Sequence, residues 1–202
     1  MSKEARNVRY AEIDRETKET RIRVVIDLDG GSRRDVATGV PFFDHMLHQL
    51  AFFGGFDLGV QADGDLHVDD HHTVEDVGIC IGKGFKEALT NSGGIQRFGS
   101  AHGIMNDACV LVAIDICGRG MLTFNQEFKR DKLGGLSLEN VQEFFRAMSE
   151  NSGITIHIHK VAGHNDHHCV EAIFKGFGLA LHQAIARNES RGQGNSTKGM
   201  TL

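Results

Sequence analysis

Asp69-Asp70-His71-His72-Thr73-Val74-Glu75 and Asn165-Asp166-His167-His168-Cys169-Val170-Glu171 are one signature written twice in a chain of 202 residues. A histidine pair followed three residues later by a glutamate, once per half, makes an internal repeat the first expectation. Each copy opens an apolar pattern of helical spacing: Val74, Val77, Ile81 and Phe85 to about Leu89 in one case, Asp166 to Arg187 in the other. Strand-like stretches precede both helices, Phe56–Ala62 and Ile154–Val161, and before those lie helical runs over Phe42–Phe53 and about 138–150. Counting confirms the register: Gly55-Phe56-Asp57-Leu58 and Gly153-Ile154-Thr155-Ile156 lie 98 positions apart, the histidine pairs 96.

Further outward, alternation over 6–13 and 20–28 and over Cys109–Cys117 and Met121–Glu127 predicts more strands. The order argues for an α+β fold: a tandem pseudo-repeat forming a sandwich of mixed sheets, sheets inside and outer helices. One domain is expected over 1–202, with repeats of about 1–92 and 93–190 and an aperiodic tail over 191–202. The phenylalanines, Phe42, Phe43, Phe52, Phe56, Phe85, Phe144, Phe145, Phe174 and Phe177, read as core.

At 40% hydrophobic residues the chain can bury a substantial core, and its net charge of −5 without a basic run argues against nucleic acid as partner. The opening residues lack the apolar run of a signal peptide, and no stretch nears the ~18 apolar residues of a membrane span. Cys80, Cys109, Cys117 and Cys169 show no paired spacing and sit in apolar segments, so a reduced, cytoplasmic setting is expected.

On a helix, His71 and Glu75 share a face, as do His167 and Glu171, whereas His72 and His168 point about 100° away. One helix therefore cannot aim both adjacent imidazoles at one ion. Each motif should serve two divalent transition metals, one through its first histidine and glutamate, the other through its second histidine. The 98-residue offset pairs His45 with Glu143, one donor on each first helix. The expected shells are His45, His71, Glu75 and His168 for one ion and His72, Glu143, His167 and Glu171 for the other, with donors supplied within a chain or between subunits. Open positions on each ion would permit catalysis. Asp69, Asp70 and Asp166 read as helix N-terminal carboxylates or as orienting acceptors for the imidazoles. His48 and His164 read as local hydrogen bonders, and His102, His157, His159 and His182 as ordinary surface or strand histidines.

Thr17-Lys18-Glu19-Thr20, Phe43-Asp44-His45-Met46-Leu47-His48, Gly64-Asp65-Leu66, Arg97-Phe98-Gly99, Asp115 with Gly118-Arg119, Glu143-Phe144-Phe145-Arg146, Phe174-Lys175 and Ser196-Thr197-Lys198-Gly199 complete the pattern. With the duplicated motif, they resemble imidazoleglycerol-phosphate dehydratase along nearly the whole chain. The resemblance implies the histidine-biosynthesis step converting imidazole glycerol phosphate to imidazole acetol phosphate and water. It also implies a duplicated ribosomal-protein-S5-domain-2-like fold, two manganese ions (Mn2+) per active site, and a twenty-four-subunit homo-oligomer with sites between subunits. Arg97, Arg119, Lys175, Ser196, Thr197 and Lys198 would hold the phosphate, and Glu19 would lie near the reacting carbons. His45, Phe53, His71, Glu75 and His167 would also touch substrate, and Glu19, Glu171, His45 and His72 would be catalytic. Four departures stand out: Phe53 in place of a histidine, Met105-Asn106-Asp107, Gly120 in place of proline, and Glu143 in place of a histidine.

The implied substrate has no carbonyl beside the proton to be lost, so its imidazole must supply the electrons. The ring, held as imidazolate between two metals, would expel hydroxide to give a diazafulvene, and proton loss from the next carbon would then give an enol and the ketone. Glu19 and Glu171 are the expected proton carriers. A dinuclear hydrolase would not need the phosphate-directed tail and arginines, and a metal-storage or metal-sensing oligomer would not need Glu19.

Overall fold

The computed structural model describes residues 9–90 and 94–188. The first repeat comprises β1 (Tyr10–Glu16), β2 (Thr20–Asp27), β3 (Arg34–Ala37), α1 (Pro41–Gly54), β4 (Asp57–Gly64) and α2 (His71–Leu89). The second comprises β5 (Phe98–Met105), β6 (Ala108–Ile116), β7 (Met121–Asn125), the two-residue strands β8 (Lys132–Leu133) and β9 (Leu136–Ser137), α3 (Glu139–Ser152), β10 (Ile154–Ala162) and α4 (Asp166–Ile185). Strand orders β1-β2-β4-β3 and β5-β6-β10-β7 are the same topology twice, and in each sheet the short third strand pairs in parallel with the last. The expected α+β duplication with mixed sheets is therefore present.

Local chemistry explains the elements. Thr-Arg-Ile-Arg-Val-Val-Ile-Asp in β2 alternates, burying Ile22, Val24 and Ile26 and exposing Arg21 and Arg23. Pro41 occupies the first turn of α1, where its missing N–H costs nothing. Gly55 and Gly153 end α1 and α3 in the left-handed region at φ 67° and 73°, which a side chain would strain.

The layer order is the reverse of the expected one. Helices α1 and α2 cover one sheet, α3 and α4 the other, and the two helical layers meet, α1 against α4 and α2 against α3. The sheets thus face outward and the helices fill the centre. Helices buried on two sides need small residues where backbones approach. A Cβ on Gly78 or Gly82 of α2 would come within 2.7 and 2.6 Å of the α3 carbonyls of Phe144 and Met148. Where the layers join, Phe43 packs edge-on against Phe144, and Phe144 and Phe145 against Phe174, with Phe177 beside Phe145. Burying each such ring contributes about 1.5–3 kcal/mol. Phe52, expected in the core, is 61% exposed with Arg34 over its ring.

Strands β3 and β5 escape sequence patterning. The first is four residues long and polar, and the second is diluted by Gly99 and Gly103. Those glycines answer a tertiary demand: an added Cβ would sit 1.9 Å from the Ala180 carbonyl and 1.8 Å from that of Ala172, both on α4. Gly103→Ala is therefore expected to destabilise the protein by about 2–4 kcal/mol, read as a lower urea midpoint. An unchanged midpoint would mean that α4 shifts freely over β5.

All four cysteines are unpaired; Cys80 and Cys169 are buried, as expected, while Cys109 and Cys117 are half-buried. Among the described residues, no helix is long and apolar enough to cross a membrane. The tail residues Ser196, Thr197 and Lys198 lie outside the described residues.

Candidate metal centre and active site

The four helices run in the same direction. Gly78 and Gly82 of α2 meet Phe144 and Met148 of α3 in ascending order, and α1 meets α4 at His45–Glu171, Gly54–Gly178 and Gly54–His182. Both motifs, His45 and Glu143 therefore gather at one end of the molecule, the N-terminal end of the bundle. Helix N-termini carry partial positive charge, so carboxylates are favoured there and a cation needs them.

Each motif is fixed by the side chain two residues before its first histidine, which in the second motif is the N-cap of α4. Asp69 accepts the backbone N–H of His71 at 2.8 Å, and Asn165 that of His167 at 3.0 Å. The first histidine then faces its glutamate, His71 Nε2 3.9 Å from Glu75 Oε2 and His167 Nε2 2.9 Å from Glu171 Oε1. Adjacent imidazoles stand nearly perpendicular, at 84° and 86°, with centroids 6.1 Å apart in both motifs. That divergence agrees with the helical reasoning: neighbouring rings address different points.

The second histidines are oriented by carboxylates on other elements. His72 Nδ1 lies 3.0 Å from Asp65 and His168 Nδ1 2.6 Å from Asp107. With Nδ1–H donating, each ring presents Nε2 as a lone pair, the arrangement used by metal-binding imidazoles. The Asp65 hydrogen bond raises the His72 pKa above its ordinary value. Asp107 is held well below the usual carboxylate range by the His164 N–H, His168 and the Asn165 N–H. Both aspartates stand in stretches quoted above from the sequence, but neither was assigned a role there. Their signal was their place in turns next to the motif in space, which linear spacing does not report.

The glutamates are partnered by cations. Burial pushes the Glu171 carboxyl up, but Lys175 at 2.9 Å and His167 more than offset it, leaving the pKa below its ordinary value. Gln49 donates to Glu171 Oε2, the oxygen that Lys175 also meets, at 2.9 Å, and His45 Nε2 stands 3.8 Å from Oε1. In the other half-site Arg146 bridges Glu143 at 2.7 Å and Glu75 at 2.6 Å. Asp70 does not touch an imidazole directly. It accepts from Ser137 and from Asn140, whose Oδ1 lies 3.0 Å from His71 Nδ1. Asp166 receives the backbone N–H groups of Lys129 and Arg130 and so pins a loop.

A single chain assembles neither expected shell. Because α1 packs on α4 and α3 on α2, His45 stands by Glu171 and shares Phe42 with His167, while Glu143 shares Arg146 with Glu75. Among the described residues no three such donors converge to hold an ion within one chain. Arg97, Arg119 and Phe53 lie at the opposite end. The Arg97 N–H bonds the Ala184 carbonyl at the end of α4, Phe53 ends α1, and Arg119 occupies the turn beside the end of α3. From residue 167 to residue 184 the helix rises roughly 26 Å, so these residues cannot meet the motifs of their own chain. Within this chain Lys175, grouped with the arginines by the resemblance, sits with the motifs, 2.9 Å from Glu171.

The model of imidazoleglycerol-phosphate dehydratase matches residues 38–181. Enzymes of that name from Moorella thermoacetica and Acetivibrio thermocellus are each 50% identical to this chain, over 95% of it and 98% of theirs. This chain belongs to the imidazoleglycerol-phosphate dehydratase family. The crystal structure of imidazoleglycerol-phosphate dehydratase from Staphylococcus aureus has a TM-score of 0.81 at 35% identity, covering 89% of this chain and 99% of that one. IGPD from Pyrococcus furiosus has a TM-score of 0.81 at 38% identity, covering 94% and 100%. As a member of this imidazoleglycerol-phosphate dehydratase family the chain is an enzyme, a dehydratase of histidine biosynthesis.

The paired hairpins of this dehydratase explain how its two halves differ. Strands β1 and β2 turn through Thr17-Lys18-Glu19, and β5 and β6 through Met105-Asn106-Asp107, at a constant offset of 88 residues. Glu19 and Asp107 are thus equivalent, one facing each second histidine. Asp107 is consumed in orienting His168. In the first repeat Asp65 takes that duty, and Glu19 Oε2 stands 3.9 Å from His72, exposed to solvent.

Proposed function

We propose that this dehydratase eliminates water from D-erythro-imidazole glycerol phosphate with two Mn2+ ions per active site, in sites built between chains of a cytoplasmic homo-oligomer, a 24-mer. The observation that carries the reading is the pair of perpendicular imidazole–carboxylate half-sites, each beside a second imidazole whose Nε2 is presented by an aspartate. Imidazole with carboxylate suits manganese chemically, and the glutamates balance the positive helix ends. His45, His71, Glu75 and His168 would hold one ion, and His72, Glu143, His167 and Glu171 the other, with donors from more than one chain. Bound ions would supply Lewis acidity that favours the anionic form of the substrate's imidazole.

The substrate's chemistry asks the chain's own residues for three things. Hydroxide leaves the ring-bearing carbon with its bonding pair, driven by electrons from the imidazole, and the diazafulvene so formed loses a proton from the next carbon. The resulting enol tautomerises to imidazole acetol phosphate. Glu19, exposed and 3.9 Å from the His72 ring that Asp65 orients, is the proton acceptor the geometry favours. Glu171, kept ionised by Lys175, would share the proton traffic. Arg97 and Arg119, with Lys175 and the tail residues Ser196, Thr197 and Lys198, would hold the phosphate dianion by charge-assisted hydrogen bonds. The roughly 26 Å between the two ends of one chain supports sites that draw on neighbouring copies.

Titrating the metal-free protein with manganese while following particle mass and dehydration of imidazole glycerol phosphate tests the reading. The expected result is uptake approaching two ions per chain, with turnover appearing as the ions bind. Full turnover without a divalent ion would overturn it.

A further inference from the structure

We infer that Asp76, with Thr20 and Arg15, is a positioning residue for the reaction: it clamps the hairpin carrying Glu19 to the helix carrying His72. The inference rests on Glu19 being the proton acceptor proposed above. Asp76 lies one turn after His72 on α2 and is buried. Its Oδ2 accepts the Thr20 hydroxyl at 2.5 Å and its Oδ1 the Arg15 guanidinium at 2.9 Å. Thr20 is itself buried and closes the turn: Thr17 N–H donates to the Thr20 carbonyl, and the Thr17 hydroxyl receives the N–H groups of Glu19 and Thr20. The Glu19 carbonyl in turn accepts from Asp65 N–H, next to the carboxylate that orients His72. The backbone on both sides of Glu19 is thereby tied, through two buried side chains, to the helix on which His72 sits.

The second repeat supplies the internal control. At the offset of 88 residues in the hairpin, Arg15 and Thr20 become Gly103 and Ala108, and at the offset of 96 in the helix Asp76 becomes Ala172. There the helix lies flush on the strand, a Cβ on Gly103 falling 1.8 Å from the Ala172 carbonyl. The fold therefore forms perfectly well with three small residues at these places. A buried carboxylate with its partners costs desolvation that an apolar contact avoids. In the second repeat Asp107 is held by His168 and by the N–H groups of His164 and Asn165, whereas Glu19 meets His72 only at 3.9 Å, and the clamp occurs only beneath the Glu19 hairpin.

Because the clamp acts on placement, its loss should lower kcat more than it raises KM or weakens folding. Thr20→Val removes the hydroxyl at nearly constant volume. We expect kcat for imidazole glycerol phosphate to fall about 10- to 100-fold, with bound manganese and particle mass close to the parent's and a thermal midpoint lowered by only a few degrees. Thr20→Ser, which restores a hydroxyl, should recover turnover to within about threefold. In a Glu19→Gln background Thr20→Val should add little further loss, since the group being placed is already disabled. A full additional loss in that background, or parent-like kcat for Thr20→Val alone, would overturn the clamp. Parent-like turnover by Glu19→Gln alone would instead remove the proton-acceptor reading beneath it.

Discussion

Glu19→Gln should lower kcat by about 10²–10⁴-fold, the range a positioned general base contributes, while particle mass and bound manganese stay at parental values. The amide is isosteric, Glu19 is exposed, and the hairpin's bonds run through the Glu19 backbone and through Thr17 and Thr20, not through the Glu19 carboxylate. Orientation of His72 survives because Asp65, not Glu19, holds its Nδ1. Steady-state kinetics beside metal analysis would separate this outcome from a loss of metal. A variant with parental turnover would remove Glu19 from the chemistry, and one that sheds manganese would make Glu19 part of the metal site.

Mixing two inactive variants should restore activity. Glu19→Gln disables the end of the bundle where the motifs gather, and Arg119→Ala the end some 26 Å away along the helices. If one active site takes Glu19 from one chain and Arg119 from another, co-assembled variants contain intact sites, about one in four on random assortment. Dissociating and reassembling equal amounts of the two, then measuring dehydration against each variant alone, reads this directly. Activity no greater than the average of the two parents would mean that both residues serve the same chain's site, or that Arg119 serves none. Arg119 suits the test because it is exposed, and its carbonyl, not its guanidinium, accepts from the Thr155 hydroxyl and the Cys117 thiol.

Much of the site was legible in the chain before folding. A motif repeated 96 residues on, with histidine and glutamate four apart, states which atoms share a helix face, and the perpendicular rings bear that out. Element order was legible too, because periodicity is local. Asp65 and Asp107 were not, since each meets its histidine through a turn. Arg146 was not assigned a role either, since the position of Glu75 relative to Glu143 depends on how α2 lies against α3.

By itself the sequence determined that the fold is duplicated, that each half presents imidazoles and a carboxylate at a helix start, and that adjacent imidazoles diverge. Those are consequences of backbone geometry over a few residues, and nothing distant can change them. Only the tertiary structure decided that the helices lie inside and the sheets outside, and that His45 sits with the other repeat's motif. It alone set the motifs and Arg119 at opposite ends of one chain. The physical reason is close packing: glycines such as Gly78, Gly82 and Gly103 let particular backbones touch, and which backbones those are is a property of the assembled layers, not of any local pattern.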